Sequence, residues 1–197
     1  MDYSALKVTN SGSIFRDIPA LETERLILRK LSMRDVNDIF EYASVPEIAK
    51  HVMWGHHRNI SDSLHFLRAV MQQYQNGLPS PWAIVYKENE KVIGTGGFHV
   101  WNLDHRRAEI GYALSRDYWD KGIMTEALKE MIKFGFEHLN LNRIEALCKI
   151  QNTASERVMQ KCGMKLEGIL REHIFVKEEF HDLKMYSILK SEFTETA

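Results

Sequence analysis

Residues 107–168 read RAEIGYALSRDYWDKGIMTEALKEMIKFGFEHLNLNRIEALCKIQNTASERVMQKCGMKLEG. The alternation over Ala108–Leu114 predicts a strand. The polar stretch Arg116–Lys121 predicts a loop that leads through Gly122 into a helix over Met124–Leu139. That helix puts Ala127, Leu128, Met131, Ile132, Phe134, Gly135 and Phe136 on one broad apolar face. A second strand is expected over Arg143–Ile150, and a second helix opens at Asn152. A strand–loop–helix with glycine at the loop exit aims free backbone N–H groups at one spot. The helix N-terminus adds partial positive charge there. Such a spot binds phosphate.

Working outward, Arg25–Leu31 reads as a strand, and Ser32-Met-Arg-Asp35 fits a capping box with Asp in place of Glu. The helix after it places Val36, Ile39, Phe40 and Ala43 on one face. Ser61-Asp-Ser opens another helix with Leu64, Leu67, Val70, Met71 and Tyr74 together, and Asn76-Gly77 ends it. Pro46–Ile60, which holds Trp54, His56 and His57, is expected to be irregular. Strands follow over Trp82–Tyr86 and Val92–Val100, with polar turns at Lys87–Lys91 and Asn102–Arg106. Phe175–Leu189 is strand-like again. The order β-α-α-β-β-β-α-β-α-β-β gives a mixed sheet, antiparallel early and with one parallel crossover late.

Composition narrows the class. The chain has 197 residues, 44% hydrophobic and 27% charged, which suits one soluble globular domain. A formal net charge of −1 argues against nucleic acid as the main partner. No apolar run reaches membrane-spanning length, and the first fifteen residues do not read as a signal peptide. The two cysteines, Cys148 and Cys162, lack metal-ligand spacing and read as reduced thiols, so a cytoplasmic protein is expected. Residues 1–20 read as a polar extension and residues 21–192 as a single domain.

Several motifs carry less than they suggest. Val92-Ile-Gly-Thr-Gly-Gly97 is followed by strand, not helix, so it is a glycine-softened strand rather than a dinucleotide fingerprint. In Lys121-Gly122 the lysine precedes the glycine, unlike a nucleoside-triphosphate loop. His56-His57 lack a third ligand at useful spacing, and no metal is expected. Trp54 and Trp101 fit either core or substrate pocket. Asn152 precedes Thr153-Ala-Ser-Glu156 and suits a helix cap; a hydrogen bond to a ligand amide is an equal alternative. Taken alone, Glu109 is an ordinary strand glutamate.

Six pieces in order resemble the GNAT acetyltransferase superfamily, most closely the ribosomal-protein-alanine N-acetyltransferase group of the RimJ/RimL type. They are Leu21–Arg29, Ala108–Tyr112, Tyr118–Ala127, Asn152–Ser155, Lys161–Met164 and Leu166–Gly168. The resemblance covers roughly residues 20–190 and implies an α+β GNAT fold: a mixed, mostly antiparallel sheet with a V-shaped splay between two central parallel strands and helices on both faces. It implies acetyl-CoA as cosubstrate. The pantetheine arm would pair with Ile110, Tyr112, Ala113 and Leu114, the pyrophosphate with N–H groups of Lys121, Gly122, Ile123, Met124 and Thr125, and the arm again with Asn152. Ser155 would approach the thioester sulfur and assist the leaving thiolate. Glu109 would be the base, and a backbone N–H near Ile110–Tyr112 would hold the oxyanion. Asp120 stands where the family commonly has glycine, so its carboxylate must turn away from the phosphates.

The implied reaction is direct acetyl transfer to a primary amine. An α-amine titrates near 7.7–8.0 and a lysine near 10.4, a gap of about 3.5 kcal/mol at neutral pH. A modest base therefore suits a protein N-terminus better than lysine. Polyamines, amino acids and antibiotics are alternative acceptors, and a non-catalytic acyl-CoA sensor is an alternative of another class. Assembly as a homodimer stays open.

Overall fold

The structure, a computed structural model, describes residues 14–193. Eight strands form one sheet in the order β1-β2-β3-β4-β5-β6-β8-β7. They are β1 (Leu21–Glu22), β2 (Leu26–Lys30), β3 (Pro81–Tyr86), β4 (Val92–Asn102), β5 (Arg107–Leu114), β6 (Arg143–Lys149), β7 (Lys165–Val176) and β8 (Glu179–Leu189). The helices are α1 (Val36–Ala43), α2 (Pro46–His51), α3 (Ile60–Asn76), α4 (Ile123–Glu137) and α5 (Thr153–Lys161). All strand pairs are antiparallel except β5–β6, which is parallel and is joined through the crossover helix α4.

That parallel contact is short. Arg107, Ala108 and Glu109 pair with Arg143, Ile144 and Glu145, and the ladder stops there. Beyond it, Ile110–Leu114 pairs only with β4, and Ala146–Lys149 only with β8. The two strands diverge toward their C-terminal ends, as the resemblance implied. Backbone polar groups along both inner edges are left for another partner.

Helices cover both faces. All seven residues expected on the apolar face of α4 are buried. Burying each of its large apolar side chains contributes about 1.5–3 kcal/mol. Gly135 allows the close approach of α4 to the sheet. A Cβ there would stand 2.9 Å from both Ile144 Cδ1 and Phe98 Cζ. On the opposite face, the Tyr42 hydroxyl of α1 lies 3.3 Å from Thr95 Oγ1 of β4. The Ser32–Asp35 capping box forms and closes a 3-10 turn before α1. The Arg29 guanidinium donates two bonds to the buried Asp35 carboxylate, at 2.9 and 2.8 Å. Gly77, at φ +67, ends α3 with N–H bonds to Gln73 and Tyr74 carbonyls.

Three features depart from the sequence reading. Pro46–Ile60 is not wholly irregular, because Pro46 starts α2 as a first-turn proline, whose missing N–H costs nothing there. The last strand region is a hairpin of two long strands. Exposed and charged residues along β7 mask its strand character in the sequence. Part of the N-terminal extension packs: Ile14, Phe15 and Ile18 are buried, Phe15 meets Trp101 edge-on at 5.0 Å, and Trp82 Nε1 donates to Pro19 O. Residues 1–13 of that extension lie outside the described residues. Trp101 and Trp54 both pack against the core as half-buried side chains.

Candidate active site at the strand splay

The site starts at the apex of the divergence. Glu109 belongs to the last parallel pair, and its side chain is 22% exposed. A bulge in β4 shapes its surroundings. Phe98 pairs with Ile110 and Val100 with Glu109, so His99 is the extra residue. The bulge swings His99 Nε2 to 2.8 Å from Glu109 Oε1. Gly111 leaves space for this ring, since a Cβ there would be 2.9 Å from His99 Cε1. Alternation along β4 gives no hint of the bulge, so the sequence reading missed His99. Its one trace is a glycine in the facing strand.

Beyond the apex, from Tyr112 onward, a cavity of about 390 Å³ lies in the splay. Tyr112, Ala113 and Leu114 line it from β5, Asn152 and Ser155 from the start of α5, and Gly122, Ile123, Met124 and Thr125 from the start of α4. Of the residues expected to meet the coenzyme, Ile110 is buried at the apex and Lys121 is exposed beside the loop. Asn152 does serve as a cap, with its Oδ1 accepting from Ser155 N at 3.1 Å. Its side-chain NH2 makes no hydrogen bond among the described residues, so the ligand alternative keeps a donor.

Tyr112 and Ser155 meet across the cavity, with hydroxyl oxygens 2.9 Å apart. The Tyr112 hydroxyl also donates to Ser155 O at 3.3 Å. Burial pushes the Tyr112 pKa well above the usual range, more than the Ser155 bond lowers it. The phenol therefore stays protonated across physiological pH. Sequence reading named Tyr112 only for its backbone.

The helix end that would meet an anion is shaped by backbone. Gly122 is the N-cap of α4 at φ +75, and no side chain caps it. Its first-turn N–H groups have no side-chain cap among the described residues. Asp120 is exposed at the rim and also has positive φ, +58. A clasp holds this turn against the start of the sheet. Glu126 accepts from Thr23 Oγ1 at 2.5 Å, Arg25 N at 2.9 Å and Arg25 Nε at 2.7 Å, while Arg25 Nη1 donates to Lys121 O. Burial works to raise the Glu126 pKa, but these donors outweigh it and hold the carboxyl below its usual value. The Thr23–Glu126 separation hid this clasp from local reading. Arg157 and Lys161 bring further positive charge to the cavity wall.

The thiols take no part in this chemistry. Burial raises the Cys148 pKa to about 11 and the Cys162 pKa to about 12, so both are neutral and inert. His57 bonds Ser63 Oγ at 2.8 Å, and among the described residues no group of three or more His, Cys, Asp or Glu is placed to hold a metal. No described helix is long and apolar enough to cross a membrane.

A sheet parted between parallel strands, with a helix start that no side chain caps at one end and a carboxylate at the apex, is the arrangement that the resemblance to acetyl-CoA-dependent transferases implied. Comparison with known proteins agrees. Residues 25–165 match the acetyltransferase (GNAT) domain model. The chain is 36% identical over 173 residues to an uncharacterized N-acetyltransferase, p20, of Bacillus licheniformis, covering 88% of this chain and 97% of that one. It is 30% identical over 104 residues to the ribosomal-protein-serine acetyltransferase of Escherichia coli, covering 53% and 58% of the two chains. The solved structure of the microcin C7 self-immunity acetyltransferase MccE with acetyl-CoA and AMP aligns with a TM-score of 0.77 at 26% identity, over 85% of this chain and 93% of that one. The chain belongs to the GNAT acetyltransferase family and is an acetyl-CoA-dependent N-acetyltransferase.

Proposed function

We propose that this enzyme moves the acetyl group of acetyl-CoA directly to a primary α-amine, such as a protein N-terminus. The observation that carries this reading is the β5–β6 ladder ending at Glu109, which puts a carboxylate at the mouth of a slot with unpaired backbone edges. The pantetheine amides would occupy those edges like an added strand. The diphosphate would rest on the N–H groups from Lys121 to Thr125. Similarity to a ribosomal-protein-serine acetyltransferase supports a protein as acceptor.

Glu109, held by His99 through one oxygen, would take the amine proton with the other, directly or through water. The neutral nitrogen attacks the thioester carbon, and a backbone N–H near Ile110–Tyr112 holds the oxyanion. As the C–S bond breaks, the nitrogen gives its second proton to solvent, and the departing thiolate would take one from Ser155, which the protonated Tyr112 hydroxyl resupplies in a short relay.

Two measurements test the reading. Acetyl-CoA should raise the melting temperature, because a ligand that binds only the folded state stabilises it, and ATP should not. Thiol release should appear with α-amine peptides. Coenzyme binding without acetylation of any amine in a broad panel would favour a sensor instead. Within the mechanism, Ser155→Ala and Tyr112→Phe should each lower kcat by roughly tenfold, and the double variant by little more, because the hydroxyls act as one network. Additive losses would separate the two groups, and a fully active Tyr112→Phe would remove the relay.

A further inference from the structure

A second cluster lies across the sheet from the coenzyme helices. On β5, Tyr112 reaches α5, so alternation turns Glu109 to the opposite face. On β6, Ile144 packs against α4 at Gly135, so Glu145 and Lys149 also face away from the helices. Glu109 and Lys149 thus share one face, on either side of the splay. Lys149 lies four positions beyond Glu145, the partner of Glu109, or about 13 Å along the strand.

Lys149 is only 7% exposed. Its Nζ lies 3.2 Å from His181 Nε2, and none of the ion pairs among the described residues involves it. The tip of the β7–β8 hairpin leans over the same region, where Lys177 Nζ donates to Ala49 O and Val52 O at the end of α2. His51 sits between those carbonyls in sequence and lines the coenzyme cavity with Val52. The lysine charges here act on His51 and on one another. Burial, then the charges of Lys50, Lys149 and Lys177, holds the His51 pKa down, and burial with Lys149 does the same to Lys177. Burying an ammonium without a counter-ion is costly. Stability alone gives no reason to gather two lysines and two histidines here.

We propose that Lys149, His181, His51 and Lys177 form an acceptor subsite for an anionic group, a carboxylate or phosphate carried about 10–13 Å from the reacting amine. This rests on the function proposed above and narrows its acceptor. In an extended peptide that span falls at the third or fourth residue. The same cluster disfavours polycationic acceptors by like-charge repulsion.

The test uses matched acceptors with the full-length protein. The peptide amide Ser-Ala-Asp-Ala should show a KM about tenfold below that of Ser-Ala-Asn-Ala, and 6-aminohexyl phosphate should surpass 6-aminohexanol. Comparing the two pairs separates a carboxylate from a phosphate preference. Lys149→Met should bring both ratios close to one with the acetyl-CoA Kd unaltered, and Lys149→Arg should restore them. Equal KM values within each pair in the unaltered enzyme would overturn the subsite while leaving the acetyltransferase reading intact. Should no amine be acetylated, binding of the two peptides to the CoA complex decides by calorimetry, and equal affinities would again overturn it.

Discussion

Glu109→Gln should lower kcat/KM by about a hundredfold, the low end for loss of a positioned general base. Glutamine keeps the shape of the side chain and can still accept a bond from His99, so the apex geometry survives. The acetyl-CoA Kd should not change, because the carboxylate faces away from the coenzyme helices. The residual rate should rise with pH as the acceptor amine loses its own proton, in the range of an α-amine near 7.7–8.0. Steady-state kinetics across pH with one peptide acceptor would show this. Unchanged kinetics at every pH would take Glu109 out of the mechanism.

Gly122→Asp should weaken acetyl-CoA binding by roughly 10- to 100-fold. Both Cβ crowding and charge repulsion are expected from the sequence, and the structure removes the first. The nearest atom to such a Cβ is Arg25 Nη2 at 3.7 Å, so space is ample. Backbone strain from a side chain at φ +75 costs about 1–2 kcal/mol of folding stability with or without ligand, so the loss of affinity comes from the carboxylate beside the diphosphate, whose repulsion is about 1–3 kcal/mol at intermediate dielectric. Gly122→Ala carries the strain without the charge, so it should lower the melting temperature and leave Kd nearly unchanged. Calorimetric titration of each variant reads this directly, and an unaltered Kd for Gly122→Asp would mean that the phosphates bind elsewhere.

What the sequence made legible was local in origin. The apolar face of α4, the Ser32–Asp35 box, the Gly77 cap and the β5–α4–β6 crossover all follow from periodicity and capping within a few residues. Glu109 and Ser155 came from family resemblance, since neither stands out by pattern. What escaped depends on distant contacts. His99 reaches Glu109 only because β4 carries an extra residue, and strict alternation conceals that. The Thr23–Arg25–Glu126 clasp joins segments about a hundred residues apart in the chain. Lys149 reads as an ordinary strand-end lysine until the β7–β8 hairpin folds over it.

The brief union of β5 with β6 also bears on mechanics. Three residue pairs, with the bonds of Asn142 N and Arg143 N to Arg106 O beside them, are the backbone stitching among the described residues between a five-stranded block and a three-stranded one. The backbone seam is thus narrow, and side-chain packing beneath α4, the Arg107–Glu145 ion pair and the Tyr112–Ser155 bond are further ties. A pantetheine lodged in the gap would bond to both blocks and act as a rivet. Ligand occupancy would then turn two loosely coupled halves into one cooperative body, and release of free CoA would loosen them again before the next turnover.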